Sequence, residues 1–253
     1  MGCHMELSAF FQVHPRVAIA FSGGVDSAYL LYAAVNYGAK VHAYYAKSAF
    51  QPQFELDDAK RLAEQLGVAL TVIEVDVLRC SQIRANSVDR CYFCKKMLFA
   101  KILEQAAADG YDILLDGTNA SDDPGDRPGM RALKELSIRS PLRECGLSKE
   151  EIRRRAREAG LFTWNKPAYA CLSTRIPTGE PITKEKLERT ERAENFLFSL
   201  GFTAFRIRMS GTAAKLQIPA SQMEKVLKNR VRIVRELKQY YSAVTLDLEA
   251  RNE

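Results

Sequence analysis

A doubly wound α/β domain built on a mostly parallel sheet, followed by a smaller α+β domain, is the fold this sequence predicts. Three observations predict it. Short apolar runs alternate with amphipathic stretches of helical length up to about residue 160. A glycine-rich turn joins the first of these runs to the first helix. Near Thr163 the alternation gives way to a proline-bearing connector, and beyond it strands follow one another with helices on either side. Strands that alternate with helices build βαβ units and a parallel sheet, and ligands of such sheets lie beyond the carboxyl ends of the strands. Every loop that follows a strand is therefore a candidate site.

Taken in order, Val17–Phe21 reads as a buried strand and Val25–Tyr37 as a helix. Val41–Ala46 and Glu55–Leu66 repeat the pattern, Leu70–Val77 is a third strand, and a helix runs from Cys91 to Ala108. Asp112–Asp116 is a fourth strand. Ser148–Gly160 is a helix whose start, Ser148-Lys-Glu-Glu151, has the form of a capping box and whose end is a glycine. Residues 163–182 hold Pro167, Pro177, Pro181 and Gly179 without helical period, so they form an extended connector. A helix over 184–200, strands at Ala204–Met209 and Lys215–Ile218, a helix from Ser221 to Tyr240 and a strand at Val244–Leu248 complete the chain. The expected division is residues 1–165 and 166–253. In the last helix Lys225, Lys228, Arg232 and Arg235 alternate with Met223, Val226, Leu227, Val231, Val234 and Leu237, which predicts a packed apolar face and a solvated basic one.

With 253 residues, 47% apolar and 27% charged, the chain has the composition of a globular protein with ample core. Disordered, collagen-like and coiled-coil chains are excluded. No apolar run approaches the roughly 18 residues of a membrane span, and the N-terminus lacks the form of a signal peptide, so the cytoplasm is the expected compartment. The net charge of +6 is uneven. Residues 1–130 carry 12 basic against 16 acidic side chains, residues 131–253 carry 25 against 15. A basic second half suits an anionic partner, a phosphate-bearing small molecule or a nucleic acid, or a surface that serves solubility alone.

The first strand runs directly into Ser22-Gly23-Gly24-Val25-Asp26-Ser27, where a helix begins. Two glycines let the backbone turn tightly and approach an anion, and the helix N-terminus offers unpaired N–H groups. Ser22 and Ser27 add hydroxyls, and Asp26 can hold Mg²⁺ or orient the loop. A Walker A loop requires Gly-Lys-Ser/Thr, and this one has no lysine. The segment resembles the PP-loop of the N-type ATP pyrophosphatase superfamily, whose members cleave ATP between the α and β phosphates to adenylate a substrate oxygen. Lys47, after the second strand, and Asp116-Gly117-Thr118-Asn119, after the fourth, lie at the same carboxyl edge and are the further nucleotide-binding candidates.

Six cysteines are too sparse for a disulfide framework. Cys91 and Cys94 are spaced i, i+3, on one face of a helix, where they can share a metal or cluster. Arg90, Lys95 and Lys96 beside them favour the thiolate. Zinc, iron–sulfur and redox uses all remain open for such a pair. Cys3, Cys80, Cys145, Cys171 and the histidines His4, His14 and His42 could complete a metal site. Cys171 lies in the connector, between prolines and followed by Ser173, Thr174 and Arg175, the setting of a reactive thiolate. Cys80 and Cys145 read as ordinary small apolar residues. In the second domain Arg206 and Arg208 alternate with apolar neighbours, so both guanidinium groups lie on one strand face and suit bidentate phosphate binding.

Ser22–Ser27, the Cys91/Cys94 segment, Asp116–Asn119 followed by Arg127-Pro-Gly129, Ser140-Pro-Leu142 and Lys166-Pro-Ala-Tyr-Ala-Cys171-Leu-Ser-Thr-Arg175 occur in one order. Together they resemble the LarE family, ATP-dependent sulfur insertases of nickel-pincer nucleotide synthesis, from about Val17 to the end of the chain. The resemblance implies adenylation of a carboxylate of pyridinium-3,5-biscarboxylic acid mononucleotide and its conversion to a thiocarboxylate. It implies ATP and Mg²⁺, and, through Cys91, Cys94 and Cys171, a [4Fe-4S] cluster to which sulfide or another sulfur donor delivers. A single-cysteine branch of the family instead sacrifices the sulfur at the Cys171 position. Arg206, Arg208 and Arg175 are assigned by it to the substrate phosphate and Glu194 to an acidic position near the sulfur site. Asp123, Asp126 and Arg127 fall where this chain is one residue shorter than the family pattern. A homo-oligomer is expected. The alternative is a tRNA thiolase of the same superfamily, against which the absence of an RNA-binding module weighs.

Overall fold

A computed structural model describes residues 6–122 and 128–251 of the chain. Its elements in order are α1 (Leu7–Val13), β1 (Arg16–Ala20), α2 (Val25–Asn36), β2 (Lys40–Lys47), α3 (Gln53–Gln65), β3 (Leu70–Glu74), α4 (Ser81–Arg84), α5 (Arg90–Ala108), β4 (Leu114–Leu115), α6 (Pro128–Glu135), α7 (Pro141–Glu144), α8 (Lys149–Glu158), α9 (Lys184–Ser199), β5 (Arg206–Ser210), β6 (Ala213–Gln217), α10 (Met223–Leu237) and β7 (Val244–Leu246). They gather into two units. The chain up to Val77 with Asp89–Lys166 forms the first, and Leu78–Val88 with the chain from Pro167 forms the second.

The first unit holds a four-stranded sheet of order β3-β2-β1-β4, all parallel. Its strands are apolar on both faces because helices cover both. Val17 and Ile19 of β1 pack with Leu7, Phe10 and Phe11 of α1 and with residues of α2, α3 and α8. Ala18, between them in sequence, packs on the opposite face with Ile102 and Ala106 of α5. Beta periodicity thus divides one short strand between two cores. Because β2 and β4 flank β1, the loops after β1 and β4 emerge side by side at the carboxyl edge, where the crossovers diverge.

Two strands of this sheet are shorter than their sequence pattern. Val75 ends β3's run by bonding to the Lys47 carbonyl, and a 3₁₀ turn takes Val77–Arg79. The peptide groups around β4 are shared with Arg139, whose N–H donates to Leu114 and whose carbonyl accepts from Asp116. Helix α1 has no forecast in the sequence. Its seven residues are too few to display a period and are anchored by burial of Leu7, Phe10 and Phe11. At α8 only half of the capping box forms. Ser148 Oγ accepts from the Glu151 N–H, while the Glu151 carboxylate is taken by Arg154 and Arg155 one turn on.

The second unit follows the expected α-β-β-α-β order. Strands β5 and β6 are antiparallel, and β6 and β7 parallel. Helix α10 buries Val226, Ile233 and Leu237, but Leu227 and Val231 are 58% and 69% exposed. The apolar residues of α10 form two stripes about one residue step apart, and only one of them faces the unit's core.

Residues 78–88 join this unit through Asn86, which a two-segment cut of the chain does not anticipate. Asn86 is buried with φ 55. Its Nδ2 donates to the carbonyls of Pro177 at 2.8 Å, Glu180 at 3.1 Å and Ile176 at 3.4 Å. The Asn86 carbonyl accepts from Gly179, and the Arg84 carbonyl from Ile182. Asparagine combines tolerance of a left-handed backbone with a donor that reaches three carbonyls. Asn86→Ala loses both and is expected to cost about 2–3 kcal/mol in urea unfolding. Asn86→Gly, which keeps the backbone freedom, is expected to cost less. Equal losses would show that the side-chain bonds carry the whole effect.

Candidate active site

The turn after β1 is built for close approach. Gly23 has φ +72, and a Cβ there would stand 3.0 Å from the Glu55 carbonyl oxygen and 3.2 Å from Ala59 N of α3. Helix α2 starts at Val25 with Gly24 at its N-cap, and no side chain caps it, which leaves its first N–H groups facing the turn. Ser22 and Ser27 close the turn, their hydroxyls 3.1 Å apart, and Ser27 Oγ donates to the Gly24 carbonyl at 3.2 Å.

The loop after β4 lies directly on this turn. At Gly117 an added Cβ would meet Ser27 N at 2.8 Å and Ser27 Cα at 3.1 Å, so only glycine lets the two backbones touch. Asp116, buried, accepts from Thr118 Oγ1 at 2.5 Å, Ser140 Oγ at 2.6 Å and Thr118 N at 3.3 Å. Asn119 donates from Nδ2 to Asp26 Oδ1 at 3.3 Å, and its Oδ1 accepts from Ser121 N at 2.8 Å. Asp116 thus shapes the loop from within, while Gly117 and Asn119 hold it against the turn. Lys47, at the end of β2, bonds to the Gln51 carbonyl at 2.6 Å and closes its own loop.

Two cations to which sequence alone assigned no role at the nucleotide loop stand at the same turn. Lys149, the first residue of α8, pairs through Nζ with Asp26 Oδ2. Lys166 pairs with Asp58 Oδ2 at 2.6 Å and reaches the Gly23 carbonyl at 3.5 Å. Both come from more than a hundred residues downstream of the turn, beyond the reach of any local pattern.

Also in the first unit, Cys91 and Cys94 occupy the first turns of α5, Cys91 exposed and Cys94 buried. Arg90 Nη2 donates to Cys91 Sγ at 3.3 Å. Of the expected cationic neighbours, Lys96 is drawn elsewhere, to Glu135 at 2.8 Å and Tyr92 at 3.0 Å, which ties α6 to α5. The aliphatic stem of Lys95 passes so close to Gly129 that a Cβ there would lie 3.0 Å from its Cδ. Burial pushes the Cys145 thiol up to about 11, in keeping with an unreactive packing residue. Cys3, His4, Asp123, Asp126 and Arg127 lie outside the described residues.

In the second unit Cys171 precedes a 3₁₀ turn, Leu172–Arg175, and its Sγ is 3.0 Å from Ser173 Oγ. Glu194, 1% exposed, is the hub beneath it. It accepts from Tyr169 at 2.5 Å, from Arg175 Nε at 2.8 Å and Nη2 at 3.0 Å, and from the Ile207 N–H at 3.0 Å. Arg175 Nη1 donates to the Ala170 carbonyl at 2.6 Å and to Thr174 Oγ1 at 2.9 Å. The expectation that Arg175 meets a substrate phosphate is corrected by this arrangement. Arg175 is 1% exposed and paired with buried Glu194, so it shapes the Cys171 loop. Glu194 likewise positions the loop and β5.

Arg206 and Arg208 share a face of β5. Arg208 donates to Gln217 at 2.7 Å and to the Thr174 carbonyl at 3.3 Å. Burial, and then the neighbouring charges of Arg175, Arg251 and Arg208, push Arg206 down to about 10. A cation destabilised in this way by its own surroundings gains from an anionic ligand.

Comparison with known proteins adds the following. The family model described as queuosine biosynthesis protein QueC matches residues 16–91, from β1 to the start of α5. An uncharacterized protein of Synechocystis is 38% identical over 96% of this chain and 92% of its own length. The pyridinium-3,5-bisthiocarboxylic acid mononucleotide synthase of Lactiplantibacillus plantarum is 35% identical over 92% of this chain and 86% of its own. The chain belongs to the LarE family. It is accordingly an enzyme of the PP-loop ATP pyrophosphatase class. A tRNA-specific 2-thiouridylase of Pseudothermotoga lettingae is 27% identical over 65% of this chain and 57% of its own. No helix among the described residues is long and apolar enough to cross a membrane.

In this LarE family member Cys91, Cys94 and Cys171 form no disulfide among the described residues. All three are thiols, one of them hydrogen-bonded by an arginine, and soft sulfur ligands suit iron. Cys91 and Cys94 belong to the first unit and Cys171 to the second. No three His, Cys, Asp or Glu side chains among the described residues form a metal-holding group.

The contact at Gly117 yields a direct test. Gly117→Ala places a methyl group where Ser27 N stands, so the turn must shift. It is expected to weaken MgATP binding at least about tenfold in titration calorimetry and to cost about 1–3 kcal/mol in urea unfolding. Unchanged affinity would show that the two loops do not act as one site.

Proposed function

We propose that this protein adenylates a carboxylate of pyridinium-3,5-biscarboxylic acid mononucleotide with ATP and converts it to a thiocarboxylate. The observation that carries this reading is the two-loop turn of the first unit, in a chain whose 35% identical relative is the bisthiocarboxylic mononucleotide synthase. In the first step the carboxylate attacks the α-phosphate of MgATP, forming an acyl-adenylate and releasing pyrophosphate. Ser22, Gly23, Gly24 and Ser27 bind the phosphates through N–H and hydroxyl donors, with Asp26 as the carboxylate available to Mg²⁺. Asp116, Gly117, Thr118 and Asn119 hold that turn in shape, and Lys47 closes the neighbouring loop. In the second step a sulfur nucleophile attacks the acyl carbon and AMP leaves.

Arg206 and Arg208 hold the mononucleotide phosphate, so binding energy remote from the carboxylate positions it. Cys91, Cys94 and Cys171 would hold the [4Fe-4S] cluster, which would supply a site for exogenous sulfide. Arg175 and Glu194 fix the loop that carries Cys171, and Arg90 donates a hydrogen bond to the Cys91 sulfur. The basic second half of the chain serves this small anion, and the substrate is a mononucleotide rather than a tRNA.

The test uses anaerobically purified protein with MgATP, sulfide and the biscarboxylated mononucleotide, following pyrophosphate and product mass. The expected result is pyrophosphate release that requires the mononucleotide, with several thiocarboxylates formed per chain. One thiocarboxylate per chain, with Cys171 converted to dehydroalanine, would overturn the sulfide route in favour of sacrifice. Pyrophosphate release that requires tRNA instead would overturn the substrate.

A further inference from the structure

The PP-loop of this chain carries no basic residue, yet a nucleotide triphosphate brings several negative charges to it. Two ammonium groups stand at the turn. Lys149 Nζ is paired with Asp26, inside the loop itself, and Lys166 Nζ is 2.6 Å from Asp58 and 3.5 Å from the carbonyl of Gly23. We propose that Lys149 and Lys166 are the cations of the nucleotide site and bind the β and γ phosphates of ATP.

Three features of their placement support this. Lys149 is the first residue of α8, where a positive charge opposes the helix dipole, so its position works against local helix stability. The dipole and the ammonium would instead act together on an anion. Both lysines rise from held backbone. The Lys149 N–H donates to Ser121 Oγ at 2.9 Å, and the Lys166 carbonyl accepts from Arg153 at 2.9 Å while its N–H donates to Thr163 at 3.0 Å. Their heads are therefore delivered to the turn by fixed main chain rather than by long mobile loops. Finally, an ammonium has three donors. Asp26 occupies one of those on Lys149, and Asp58 with Gly23 occupies two on Lys166, so each retains capacity for a phosphoryl oxygen. Without nucleotide, Asp26 and Asp58 keep the lysines poised at the turn and neutralise them.

The inference rests on the reading of Ser22–Ser27 as an ATP loop, and the experiment separates the two. Binding of MgATP, magnesium pyrophosphate and AMP is measured by calorimetry for the unaltered protein and for Lys149→Met and Lys166→Met. Loss of a charge-assisted hydrogen bond predicts about 10- to 100-fold weaker binding of ATP and pyrophosphate in each variant, with AMP within about twofold. Lys149→Arg and Lys166→Arg, which keep the charge, are expected to retain most of the affinity and provide folded controls. Unchanged ATP binding in both methionine variants would overturn the inference and leave the ATP reading standing. Equal losses for AMP and ATP would overturn it too, since the lysines would then act on the site as a whole. An unaltered protein that binds neither ATP nor pyrophosphate would overturn the ATP reading itself.

Discussion

The backbone contact between Gly117 and Ser27 is the constraint on which the first unit's site depends. It arises from topology, because β1 lies between β2 and β4 and their carboxyl ends open side by side. The same contact demands a residue without a side chain, since a Cβ at 117 would come within 2.8 Å of Ser27 N. Once the two loops touch, Asn119 can reach Asp26 and the start of α2 is held with its N–H groups directed at the turn. An anion site made of backbone donors needs this rigidity, because each donor contributes only if its direction is set before the ligand arrives.

Charge is arranged differently in the two units. In the first, cations and carboxylates are paired around the turn, Lys149 with Asp26 and Lys166 with Asp58. In the second, burial and then the charges of Arg175, Arg251 and Arg208 disfavour the charged form of Arg206, and Glu194, paired with Arg175, partly offsets them. Breaking a buried pair of this kind leaves an uncompensated charge at a cost of about 3–5 kcal/mol. That cost explains why the pair is wrapped by Tyr169 and by the backbone of β5. The arginine fixes the thiol loop, and the pair on β5 is the more exposed.

Much of this was legible in the sequence where the signal is local. The apolar period marked β1, β2, α2, α3 and α5 to within a residue or two. The turn Ser22–Ser27 showed itself by its two glycines between strand and helix. The alternation of Arg206 and Arg208 placed them on one face, as the burial of Ile207 between them requires. What stayed hidden depends on which distant group claims a side chain. Lys149 read as the second residue of a capping box, yet its partner lies 123 positions upstream. Lys166 read as part of a connector. Arg175 carried a cation beside a reactive cysteine, a pattern that fits an inward pair as well as a ligand, and Glu194, nearly three turns into α9, decided between them. Asn86 had no neighbours of note in the sequence because its three acceptors lie about ninety residues away.

Amide hydrogen exchange with and without MgATP is the most direct measure of whether the loops after β1 and β4 form one nucleotide site. The account predicts that slowed exchange appears together at Gly23–Ser27 and at Gly117–Asn119, with the same nucleotide concentration giving half of the effect in both. Protection confined to one of these segments, or a different midpoint for each, would contradict it.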